Sequence, residues 1–214
     1  MTGNKVEISI ALPTTGKEME RAMYKKQMIL QRIVCFLVLG AAALVFIYSL
    51  GLVTDLYDNN FNFYAQNLKR PKVAGTEVYY YIQDFNRALT GSGLVLILLA
   101  LSQFVTQNHA RRRYYIANYI TVGVNTVAAI GVSVWALINI FSYKAQYLMV
   151  DFEALETEAA KYGFEWYYST FWFDIAVAVF AIVLIGAAAN VANLFLKRAL
   201  MKEEQQLIAE GREA

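Results

Sequence analysis

Two uncharged runs joined by a basic turn decide the reading of this chain: ALTGSGLVLILLALSQFVTQ (88–107), NHARRR (108–113) and YYIANYITVGVNTVAAIGVSVWALINIFSY (114–143). About 20 apolar residues suffice to cross the hydrocarbon of a bilayer as a helix. A backbone in lipid has no water to satisfy its N–H and C=O groups, so the helix is the form open to both runs. The turn between them carries Arg111, Arg112 and Arg113, which belong in water. The stretch therefore reads as a membrane-embedded helical hairpin with an aqueous turn.

Composition points the same way. Of 214 residues, 58% are hydrophobic and 17% charged, whereas a soluble domain carries about 25% charge. A single cysteine, Cys35, allows no intrachain disulfide or thiol relay. A single histidine, His109, excludes bis-histidine haem, histidine-box iron and ordinary zinc sites built from this chain alone. The first apolar run starts too far into the chain and is too long for a signal-peptide core, so it is expected to remain as a span.

Working outward, residues 33–54 form a first uncharged run and 170–196 a fourth run whose one charge is Asp174. Four spans are expected, at about 33–54, 88–107, 114–143 and 170–196, as an all-α bundle of up-down topology. Residues 1–32 form a tail and a basic juxtamembrane helix (Lys17, Arg21, Lys25, Lys26, Arg32), and 197–214 a charged tail that begins with Lys197 and Arg198. Between the first two spans, Tyr57, Phe61, Tyr64 and Leu68 repeat at helical spacing. Arg70-Pro71-Lys72 then breaks the pattern, and Val78, Ile82, Phe85 and Leu89 repeat it. The segment 55–87 is thus expected to extend the first hairpin beyond the membrane, with Tyr57, Phe61, Tyr64 and Phe85 on a surface for an outer partner. In the second outer loop, 144–169, acidic residues alternate with Phe152, Leu155, Ala159 and Tyr162, the pattern of a short amphipathic helix. The cluster Phe164, Trp166, Tyr167, Tyr168, Phe171, Trp172 and Phe173 marks a membrane–water interface.

Lysine and arginine are unevenly placed. Thirteen lie in 1–32, 108–113 and 197–214, against six in the two intervening loops. That bias puts both termini and the turn of Arg111, Arg112 and Arg113 in the cytoplasm. The expected location is the cell membrane. The layout resembles that of tetraspan membrane proteins in topology alone. It has neither the Trp-Gly-Leu-Trp motif with paired cysteines of claudins nor the Cys-Cys-Gly of tetraspanins.

Candidate functional residues lie on the spans. Asn118, Asn125, Ala129, Ala136 and Asn139 fall within an arc of about 80° on the third, and Gly186, Asn190 and Asn193 form a seam on the fourth. Small residues and amides are what helix contacts in lipid use, so these stripes read as interhelical contacts, or alternatively as the lining of a pore. Gln103 and Thr106 belong with them. Asp174 sits at the edge of an apolar run, where an isolated carboxylate suggests an ion or proton site. The competing reading is an interfacial carboxylate, or a hydrogen-bond partner for a tyrosine or for Lys144. No Gly-x-Ser-x-Gly elbow, P-loop, HExxH or paired-carboxylate motif is present. A non-enzymatic protein without cofactor or metal is expected. It would work through contacts with lipid and with other membrane subunits or itself, and without nucleic acid. The alternative is a small channel or transporter for a small solute.

Overall fold

A computed structural model describes residues 16–57, 73–108, 115–161, 163 and 168–209. Five helices and no strand occur among the described residues: α1 (Gly16–Tyr57), α2 (Val78–Asn108), α3 (Tyr115–Tyr147), α4 (Phe152–Ala160) and α5 (Phe171–Ala209). Four of them contain stretches long and apolar enough to cross a membrane, Met28–Gly51, Val78–Thr106, Ile116–Tyr147 and Phe171–Ala199. The chain is an all-helical integral membrane protein.

Each long helix packs along two others. α1 lies against α2 and α5, and α3 lies against the same pair, so the four close into a bundle. The buried positions of α3 include Asn118, Val122, Asn125, Ala129, Ser133, Ala136 and Ile140, a run of three- and four-residue steps that keeps one face inward. That inner face is small or polar. The bulky apolar residues point outward: Val127 is 73% exposed and Ile138 64%. This is the reverse of a soluble bundle and suits lipid as the solvent, because apolar surface gains nothing there by burial and small residues let backbones approach.

Close approach is visible at two glycines. A Cβ on Gly93 of α2 would stand 3.0 Å from Cα of Phe46 in α1, and one on Gly51 would stand 2.5 Å from Cη2 of Trp172. Several hydroxyls inside the spans are satisfied within their own helices. Ser92, Thr126 and Ser133 donate to the carbonyls of Ala88, Val122 and Ala129, four residues back, which satisfies these three donors without water.

The helix ends sort into two groups. At one end, which we call the aromatic end, Tyr147 gathers the rings of Tyr79, Phe152, Tyr168 and Phe173 within 6.0 Å. α4 docks there through Leu155 and Ala159, and the Asp151 carboxylate caps it by accepting from the Ala154 amide at 3.0 Å. Gly75 is needed beside it: its φ is +86°, and a side chain would meet the backbone of Val150 at 3.0 Å.

The sequence-derived boundaries shift in places. α1 runs unbroken from Gly16, so the basic stretch 17–32 is the first part of the spanning helix and not a separate one. α2 starts at Val78, ten residues before the apolar run, and carries the stripe Val78, Ile82, Phe85 and Leu89 on its buried face as expected. α5 continues through the charged tail to Ala209. Arg111, Arg112 and Arg113, expected in an aqueous turn, and the residues Phe61 and Tyr64 lie outside the described residues.

Candidate functional site

At the opposite end of the bundle, the middle of α1, the end of α2, the first third of α3 and the middle of α5 converge on a buried polar network, which defines an amide end. Gln103 of α2 is its hub. Its Nε2 donates to Asn190 Oδ1 of α5 at 2.8 Å, and Asn190 Nδ2 returns a longer bond to Gln103 Oε1 at 3.4 Å. Asn125 of α3 donates to the same Oε1 at 2.9 Å, and Gln103 Nε2 also lies 3.5 Å from the thiol of Cys35 in α1. One side chain thus ties together all four long helices.

Asn118 makes a second node one layer nearer the surface. Its Oδ1 accepts from Gln31 Nε2 of α1 at 2.8 Å and from the ammonium of Lys197 in α5. Its Nδ2 donates to the Gln103 carbonyl at 3.2 Å and to Thr106 Oγ1 at 2.9 Å. Gln31, Gln103, Asn118, Asn125, Asn190, Asn193 and Lys197 are all buried. A buried amide leaves up to four hydrogen-bonding sites to be met, and here the amides meet most of them with one another.

The expected site residues divide accordingly. Asn118, Asn125 and Asn190 come together in the network, with Gln103 and Thr106. Asn193 is enclosed beside them but has no hydrogen-bond partner for either amide atom. Asn139 stands apart: half-buried, it donates to Trp135 O of its own helix at 2.7 Å, so it belongs neither to the network nor to a continuous inner stripe. Asp174 is likewise elsewhere, at the aromatic end. It forms an ion pair with Lys144 of α3 and accepts from Thr170 Oγ1 at 2.8 Å. The carboxylate is thereby the partner of Lys144, as one of the two sequence readings had it.

Phe85 is buried within the chain, with its ring 5.1 Å from that of Trp135 and 5.4 Å from that of Tyr143. It packs on α3 and is not on an outer surface. Tyr57 closes α1, and its side chain is outside the described residues. Two members of the network escaped the sequence reading. Lys197 was assigned to the aqueous tail and is 3% exposed; Gln31 was assigned to the basic flank. A usable signal existed: Lys197 follows Asn193 by four residues and Asn190 by seven, on the same helical face.

Among the described residues, no three histidine, cysteine, aspartate or glutamate side chains converge as a metal would require. No protein-family model, no curated protein and no solved structure matches the chain.

Proposed function

We propose that this protein is a four-span bundle of up-down topology that acts through protein contacts, as an accessory, scaffolding or regulatory subunit of a membrane assembly or as a homo-oligomer. The observation that carries this reading is the state of the polar stripe. Its amides at 118 and 125 are taken up by Gln103, Gln31, Thr106 and Lys197 of the same chain. Beyond Asn125 the buried residues of α3 are Thr126, Ala129, Ser133, Ala136, Ile140 and Tyr147, of which Ala129, Ala136 and Ile140 share an apolar core with Val45, Leu89, Leu96, Phe180 and Val183. Thr126 and Ser133 there return their hydroxyls to the carbonyls of Val122 and Ala129, so past Asn125 α3 buries no amide or charge that could line a solute path. The amides then serve as interhelical bonds, and the outer faces remain for partners.

The charge bias supports an orientation with the amide end and both termini in the cytoplasm of a cell-membrane protein. The decisive experiment is the mass and composition of the complex extracted in mild detergent. A stoichiometric second protein or a defined oligomer is the expected result; a bare monomer at native expression levels would count against the reading.

A channel or transporter is the second reading, favoured by the presence of Lys197 and six amides inside the amide end. Purified protein in liposomes tests it: solute flux that changes in both Asn125→Leu and Asp174→Asn would move the assignment to transport.

A further inference from the structure

Asn193 differs from every other amide at the amide end. It is 0% exposed, and neither its Oδ1 nor its Nδ2 has a hydrogen-bond partner among the described residues. Its surroundings follow from the packing of α5 on α1. A Cβ on Gly186 would stand 3.5 Å from Cγ2 of Val38, and the carbonyl of Trp172, fourteen residues earlier, accepts from Tyr48 OH at 2.9 Å. The two helices therefore run antiparallel. Seven residues beyond Gly186, about 10.5 Å along the axis, Asn193 faces the α1 segment from Gln31 to Cys35. Gly186, Asn190, Asn193 and Lys197 fall within an arc of about 60°. Asn193 thus looks into the junction where Gln31 and Cys35 of α1 meet Asn118 of α3 and Lys197 of α5.

An enclosed amide with both ends unmet loses the hydration of two strong groups and gains nothing in return. Native interiors resolve such cases with protein partners or with ordered water, which typically makes about three bonds to polar groups left over by the fold. The occupant here must offer a donor and an acceptor together and be small enough for a site that no surface group can enter. Acyl chains offer neither, and a headgroup cannot reach a side chain that is fully covered.

We propose that the junction of α1, α3 and α5 holds an internal water molecule, bound by the Asn193 amide and bridging it to the polar side chains of Gln31 and Lys197. The site would be a fixed hydration point at the amide end, and part of the bond between α5 and α1 would run through it.

Radiolytic hydroxyl labelling of the full-length protein in mild detergent, read by mass spectrometry, tests this directly. Hydroxyl radicals form from water in place, so a residue as covered as Cys35, at 1% exposure, is oxidised in the folded state only if water lies next to it. The expected result is oxidation of Cys35 alongside Met28 at the rim, with a several-fold fall at Cys35 in Asn193→Leu and no change at Met28. Cys35 left intact at doses that oxidise Met28 would overturn the proposal, and so would Cys35 oxidation that Asn193→Leu does not alter. Unfolding equilibria give an independent sign. Replacing an amide that truly lacks a partner stabilises the fold, whereas replacing a water-bound one shifts the equilibrium several-fold toward unfolding; a stabilised Asn193→Leu refutes the site. Asn193→Met serves if the leucine variant does not fold, and the wild-type labelling stands without either.

Discussion

Replacing Gln103 by leucine removes the hub of the amide network while nearly preserving volume. The side chain makes three amide bonds, two with Asn190 and one with Asn125, besides its contact with Cys35. Interhelical hydrogen bonds in membranes average about 0.6 kcal/mol, with a maximum near 1.7. Three of them come to about 2 kcal/mol, with an upper bound of about 5. The leucine gains little to offset this, since its apolar surface was not in water beforehand. A loss of about 2 kcal/mol is roughly a 30-fold shift in the unfolding equilibrium. Reversible unfolding in mixed micelles, titrated with a denaturing detergent and followed by tryptophan fluorescence, reads that shift. The double variant with Asn190→Leu should be less damaging than the two single variants summed, with a coupling of about 1 kcal/mol for the reciprocal pair. A Gln103→Leu protein within about 0.5 kcal/mol of wild type, or strict additivity in the cycle, would show that the amides do not hold the helices together.

Gly93→Val should destabilise by about 1–3 kcal/mol through overpacking, because the new side chain meets the Phe46 backbone. Gly91→Val, where an added Cβ has nothing within 4 Å, should be near neutral, and the same unfolding titration compares the two. Asn139→Leu should leave stability within about 0.5 kcal/mol of wild type, in contrast to Asn125→Leu, since its amide returns only to its own helix; equal losses in both would refute the separation of the two asparagines. For orientation, a cysteine placed at Lys72 should react with an impermeant maleimide on intact cells and one at Arg112 should not, and the reverse pattern would invert the assigned topology.

Much of the bundle was legible because lipid imposes a coarse code. Uncharged length gave the four spans, and three- and four-residue spacing gave the inner face of α3 from Asn118 to Ala136. The misplacement of Asn139 has a geometric cause. At 100° per residue it lies about 80° from the mean direction of Asn118, Val122, Asn125, Ala129, Ser133, Ala136 and Ile140, so it falls outside the face that an asparagine count seems to define. Lys197 and Gln31 were misread for another reason. A charge or amide at the edge of an apolar run is ordinarily solvated, and burial of either is made tolerable by partners distant in sequence, Asn118 among them, 79 and 87 residues away. Such pairing is a property of the packed helices. Phe85 was legible as a stripe residue but not as to what it packs on, because periodicity gives a face and not its neighbour.

Continuity of the two terminal helices has a mechanical meaning. α1 is 42 residues long and α5 is 39, about 63 and 58 Å. Neither is interrupted where it passes beyond Met28 or Ala199 into the segments 16–27 and 200–209. Each is a shaft with no joint at the membrane boundary. A protein that grips the projecting end of α5 applies torque, not tension on a tether. The first bearing that torque meets is the Lys197–Asn118 contact, and the next, about 10 Å deeper, is the Gln103–Asn190 pair.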